Sequence, residues 1–229
     1  MIAAVLFDLD DTLYEQRDWL APAWSAVATA AEPYGVDGDA LEAALLAVAA
    51  GGSDRGRIID RALARVGAAD TPLEPLLAAF RASTPPRLAP YPGVHDALER
   101  LRSELPIGLV TDGDVAIQRA KLRALALEDA FDVVVFSDEL GRERRKPHPA
   151  PFNVALAALG ERARDVVHVG DRPEKDVRGA DAAGLRAIRV RTGEYAGLPD
   201  DPVPWCTARD VPAAAAIVLA LGVSARAVG

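Results

Sequence analysis

The chain has 229 residues, 50% of them hydrophobic and 26% charged, which suits one or two folded domains with a buried core and excludes a disordered chain. A net charge of -8 and a pI near 5.0 exclude a general binder of nucleic acid or anionic membrane, and offer no long-range attraction to an anionic ester. The one cysteine, Cys206, cannot close an internal disulfide and reads as a structural thiol. No apolar run approaches the ~20 residues of a membrane span, and the chain runs straight into its first strand without a signal segment, so the expected location is cytoplasmic.

That first strand is Ala3 to Phe7, short, apolar and of the kind buried on both faces. It runs into Asp8-Leu9-Asp10-Asp11-Thr12. Carboxylates at the end of a buried strand are costly unless a cation or hydrogen bonds compensate them. Asp8 and Asp10 lie two apart and project to one side of an extended chain, an arrangement that invites Mg²⁺, a hard cation with oxygen ligands. Taken alone, the run also reads as a strand end with an acidic turn, which Asp11 would shape.

From about Tyr14 to Pro90 the pattern is helical throughout. Leu41, Ala44, Leu45 and Val48 recur at helical spacing, as do Ile59, Ala62, Leu63 and Val66, and then Leu76, Leu77 and Phe80. Trp19 and Trp24 belong, by their spacing, to the core of this segment. Within the turn Ser53-Asp54-Arg55-Gly56-Arg57, Arg55 and Arg57 are candidates to bind a substrate carboxylate or second phosphate. The competing reading of that turn is a solvated loop.

After Pro92-Gly93 a helix is marked by Val94, Leu98 and Leu101, and a strand by Ile107 to Val110. At that strand's end stands Thr111-Asp112-Gly113, a hydroxyl followed by backbone amides at a glycine turn, suited to cradling a phosphate. A third strand, Val133 to Phe136, precedes Asp138, Glu139 and the basic run Arg142, Arg144 and Arg145, read as solvated. Lys146-Pro147 leads into a helix marked by Phe152, Ala155, Leu156 and Leu159. Lysine is scarce (Lys121, Lys146 and Lys175 only), and at Lys146 it offers a compact positive charge for a phosphoryl group or an ionised aspartate. Val166 to Val169 is a fourth strand, with His168 a core histidine. It ends in Gly170-Asp171-Arg172-Pro173-Glu174-Lys175-Asp176, where a carboxylate again follows the strand and a second comes five residues later. Ala187 to Val190 is a fifth strand. None of the histidines 95, 148 and 168 is paired as a metal ligand. Strands alternating with helices imply a parallel α/β sheet, which binds ligands at the carboxyl ends of its strands. All four motifs fall there.

In this order the motifs resemble the signatures of the haloacid dehalogenase superfamily of phosphotransferases: DxDxT at Asp8 to Thr12, (S/T)xG at Thr111 to Gly113, KP at Lys146-Pro147 and GDxxxxD at Gly170 to Asp176. The resemblance implies a Rossmann-like, doubly wound parallel core over 1–13 and 91–229, with an all-helical cap inserted at 14–90. It also implies a Mg²⁺-dependent phosphatase for a small phosphorylated metabolite, acting through an aspartyl-phosphate on Asp8. Asp10 would be the general acid and then the general base. Asp8, the Asp10 backbone carbonyl and Asp171 would hold the metal. Thr111, the amides at Asp112 and Gly113, and Lys146 would hold the phosphoryl oxygens. Asp176 would orient Lys146 or a metal-bound water, with direct metal contact as the other assignment. One departure is Asp112, where the family often has Asn; its effect depends on whether the backbone or the side chain faces the phosphate. A sugar phosphomutase would keep every motif. A 2-haloacid dehalogenase lacks an aspartate at the place of Asp10, and a non-catalytic binding protein would have lost at least one of these positions.

Overall fold

The computed structural model describes residues 1–52, 56–83 and 87–222. Its contacts divide the chain into two compact units, residues 1–15 with 87–229, and residues 16–86.

The first unit is built on six parallel strands: β1 (Ala4–Phe7), β2 (Ile107–Thr111), β3 (Val133–Phe136), β4 (Val166–Gly170), β5 (Arg186–Val190) and β6 (Cys206–Ala208). Their order in the sheet is β3-β2-β1-β4-β5-β6. The register aligns Val5 with Ile107 on one side and with Val167 on the other, and Phe7 with Leu109 and Val169. Strands β1, β2 and β4 are buried along their whole length, which explains their near-continuous apolar sequence. The helices of this unit are α5 (Val94–Glu104), α6 (Val115–Ala124), α7 (Ala150–Leu159), α8 (Arg178–Ala182) and α9 (Val211–Ala220), where α1 to α4 belong to the other unit. Phe152, Ala155 and Leu156 of α7 and Ala180 of α8 pack with Leu6, Val110, Val135 and Val166 of the sheet in one apolar cluster. Because the strand order reverses direction around β1, the crevice between the ends of β1 and β4 is the place where such a sheet takes a ligand.

The second unit contains only helices among its described residues: α1 (Gln16–Ala31), α2 (Gly38–Ala49), α3 (Ile58–Arg65) and α4 (Leu73–Ala82). Its own core gathers Trp24, Val27, Leu41, Leu45, Ile59, Leu63 and Leu76, with Trp24 and Phe80 rings 4.9 Å apart. Asp37 caps α2 by accepting from the Ala40 amide at 3.1 Å. The division falls at residues 15/16 and 86/87, inside the limits 14–90 read from the sequence, because both tyrosines at those limits are tied to the sheet unit. Tyr14 donates to Asp10 at 2.6 Å, and the Tyr91 amide and hydroxyl reach Leu13 and Glu15 at 2.8 and 3.1 Å. Among the described residues no helix is long and apolar enough to cross a membrane.

Candidate active site

The carboxyl ends of β1, β2 and β4 bring Asp8, Thr111 and Asp171 to one edge of the sheet. Asp8 and Asp171 are 5% and 0% exposed. Asp176 joins them, and one carboxylate oxygen from each of the three lies within 4.8 Å of the others. Asp176 reaches this position because the chain after Gly170 folds back in a π-helical turn, Pro173–Val177, with the Arg172 amide donating to Asp176 at 3.0 Å. A Cβ at position 170 would come 2.4 Å from the Asp176 carboxyl carbon, so this close approach requires glycine.

Lys146 supplies the internal cation. Its Nζ donates to Asp8 and, at 2.7 Å, to Asp176, and its side chain is almost wholly buried. Burial pushes the Asp8 carboxyl up to about 7, against the pull of Lys146. Burial also works against the Lys146 charge, but the carboxylates of Asp176, Asp8 and Asp112 prevail and hold its pKa above the usual lysine range. Asp176 is desolvated too, yet Lys146 and His168 keep it well below the ordinary carboxylate range. His168 Nε2 lies 3.0 Å from Asp176, and its ring stands edge-on to Phe152 at 4.9 Å. The core histidine of the sequence analysis is thus also a support for the carboxylate cluster.

Asp171 carries the unmet acceptor of the cluster. One of its oxygens accepts from Thr12 at 3.3 Å, while Oδ2 is buried without a hydrogen-bond partner. An orphaned carboxylate oxygen beside two further buried carboxylates fits a hard divalent cation such as Mg²⁺. The side chains present for it are those of Asp8, Asp171 and Asp176.

Asp10 does not share this cluster through its carboxylate. Lys121 Nζ lies 2.7 and 2.8 Å from its two oxygens, Tyr14 donates at 2.6 Å and Gln118 at 3.1 Å. Burial tends to raise the Asp10 carboxyl, but Lys121 with the Tyr14 and Gln118 hydrogen bonds outweighs it and lowers the pKa. The two carboxylates of the first motif therefore rest on two different lysines. The backbone just after them turns at Asp11, whose φ is 58°. Asp11 is fastened by Thr192, which donates to its carbonyl at 2.6 Å, and by the Glu194 amide at 3.3 Å.

The Asp112 side chain accepts from Ser137 at 2.7 Å, from the Lys146 amide at 3.1 Å and from Lys175 at 3.3 Å. Its extra negative charge is thereby paired, and its carboxylate staples the second motif to the third and fourth. The Gly113 amide is directed to Asp138, whose pKa is lowered chiefly by hydrogen bonds from Arg145. Arg145 is the member of the basic run that departs from the solvated reading: it grips both Asp138 oxygens at 2.5 and 2.6 Å. Asp112→Asn keeps the acceptor for Ser137 and Lys146, whereas Asp112→Ala leaves two donors unmet at about 1–3 kcal/mol. Thermal melts should therefore rank wild type and Asn close together, with Ala well below; equal melts for Asn and Ala would discard the staple.

Behind the fourth motif lies Arg189 on β5, 0% exposed. It donates to the Asp171 carbonyl at 3.0 Å, to the carbonyls of Leu198 and Pro199 at 2.9 Å, to Tyr195 at 2.7 Å and to the Asp200 carboxylate at 2.7 Å. Of the two arginines proposed for substrate contact, Arg55 lies outside the described residues. Arg57 has an exposed side chain paired with Asp60 at 3.3 Å.

Known proteins bear directly on this arrangement. A family model for haloacid dehalogenase-like hydrolases matches residues 2–184. A glyceraldehyde 3-phosphate phosphatase of Methanopyrus kandleri is 37% identical, the match covering 89% of this chain and 91% of that protein. A glyceraldehyde 3-phosphate phosphatase of Methanocaldococcus jannaschii is 31% identical, over 88% and 90% of the two chains. Among solved structures, a haloacid dehalogenase-type phosphatase from Thermococcus onnurineus superposes with a TM-score of 0.69 at 26% identity, over 95% of this chain and 98% of that one. The chain is an enzyme, and it belongs to the haloacid dehalogenase-like hydrolases.

Proposed function

We propose that this enzyme hydrolyses the phosphate monoester of a small metabolite through a phosphorylated Asp8. The observation that carries the reading is the buried Asp8 held by Lys146 within a three-carboxylate cluster at the sheet's carboxyl edge. An Asp8 oxygen attacks phosphorus and the P–O bond to the alcohol breaks. The departing oxygen takes its proton from Asp10 in the enzyme form that carries one there, Lys121 favouring the ionised form that serves as base in the next step. Water then attacks the acyl-phosphate, Asp10 takes its proton, and inorganic phosphate leaves with Asp8 restored. Thr111, the amides at Asp112 and Gly113, and Lys146 stabilise the charge that spreads over the phosphoryl oxygens. Mg²⁺ would be held by Asp8, Asp171 and the Asp10 backbone carbonyl, with Asp176 orienting Lys146 or a metal-bound water or itself touching the ion, and it would supply charge neutralisation between the attacking carboxylate and the phosphoryl group. The helical unit is read as the cap that selects substrate, with Arg55 and Arg57 as its candidate contacts, and the enzyme as cytoplasmic.

The relatives' names direct the first choice of substrate to three-carbon sugar phosphates. Malachite-green detection across a panel of small phosphate esters should show phosphate release in Mg²⁺, loss to background in EDTA, and recovery when Mg²⁺ is restored. Isomerisation of a sugar phosphate without phosphate release would replace the reading by a phosphomutase. Chloride release from 2-chloropropionate with every ester untouched would replace it by a dehalogenase.

A further inference from the structure

We infer that Lys121, with Gln118, is the positioning device for Asp10, an inference that rests on the phosphatase reading above. The sequence has three lysines against 26 basic residues in all, and each lysine pairs with a carboxylate of the motifs. Lys146 pairs with Asp8 and Asp176, Lys175 with Asp112, and Lys121 with Asp10. Elsewhere the chain places arginine, so lysine is kept where a compact, strongly hydrated charge must sit among carboxylates.

Lys121 is 5% exposed in its side chain, and its Nζ bridges both Asp10 oxygens at nearly equal length, 2.7 and 2.8 Å. This sets Nζ on the axis of the carboxylate, and the separate donors Tyr14 on one oxygen and Gln118 on the other set its plane. Gln118, one turn earlier on α6, adds a donor at 3.1 Å and with the same Nε2 donates to Thr111, the hydroxyl of the second motif. Asp114, which caps α6 by accepting from the Ala116 and Ile117 amides, shares the face of Gln118 and Lys121 at spacings of four and three. Helix α6 thus ties the group that handles the proton to a group that handles the phosphate. Tyr14 completes the cradle at 2.6 Å from the other side. A side chain that must meet the ester oxygen and later the attacking water needs its direction held to within a fraction of an ångström.

A leaving-group comparison tests this. An alkyl phosphate needs its departing oxygen protonated, whereas p-nitrophenyl phosphate expels a stable phenolate and needs little help. In Mg²⁺, Lys121→Met should lower kcat/KM for an alkyl ester such as glycerol 3-phosphate by roughly 10–100-fold and change that for p-nitrophenyl phosphate by less than about 3-fold. Gln118→Met should act in the same direction with a smaller loss. The double variant Asp10→Asn/Lys121→Met should be no slower on the alkyl ester than Asp10→Asn alone. Equal losses on both esters, or losses that multiply in the double variant, would overturn the assignment while leaving the phosphatase reading intact. If the unaltered chain turned over neither these two esters nor any member of the panel, both would fall.

Discussion

Asp8→Asn should reduce phosphate release at least ~10³-fold on every ester the unaltered enzyme accepts, because an amide cannot form the acyl-phosphate. The loss should appear in kcat, with KM little changed, since Asn preserves the shape of the side chain. Stability should move the other way. Asp8, Asp171 and Asp176 crowd three carboxylates into a buried space with one lysine between them. Removing one negative charge eases that repulsion, so in EDTA the variant should melt no lower than wild type. Calorimetry beside a phosphate-release assay reads both quantities. Retained turnover would move the nucleophile elsewhere, and a melting point many degrees lower would make lost activity a matter of lost fold.

Lys146→Met carries the largest combined effect. Lys146 contacts Asp8 and Asp176 with a side chain 2% exposed, so its loss leaves buried carboxylates without their internal cation. Breaking a buried pair by removing one partner costs about 3–5 kcal/mol. At roughly 2–4 °C per kcal/mol for a chain of this size, the melting point should fall by about 6–20 °C. Turnover should fall ~10²–10³-fold as well if, as proposed above, this charge also stabilises the phosphoryl oxygens. Adding Asp176→Asn should return much of the stability, because Asn still accepts from the Arg172 amide and the net buried charge drops. Activity should stay low. If the double variant recovered turnover, Lys146 would be a structural counter-ion only.

Much of this arrangement was legible in the sequence because its strands are buried on both faces and its carboxylates follow them directly. Five of the six strands announce themselves as short apolar runs. The exception, β6, is the three residues Cys206-Thr207-Ala208 at the sheet's edge, with no apolar run to betray it. Helix α6 is less conspicuous for a different reason. Its buried residues include Gln118 and Lys121, so polar side chains occupy positions where a periodicity search expects apolar ones. The residues that hold Asp10 were hidden by the same fact. The Asp114 cap was the available local signal. Asp112 illustrates a further limit: its backbone position follows from the turn, but its partners Ser137, Lys146 and Lys175 come from three other segments. Arg145 could be separated from Arg142 and Arg144 only by knowing that Asp138 faces it.

Arg189 extends the support of the candidate site beyond the matched family segment. The family match stops at residue 184, yet the guanidinium that grips the Asp171 carbonyl comes from β5, and the loop it binds runs on to Asp200. The same loop reaches the first motif, where Gly193, at φ 67°, lies so close to Asp11 that any Cβ there would overlap it. A chain trimmed to the shared family segment would retain every signature residue and lose both the brace behind Asp171 and the loop packed on Asp11.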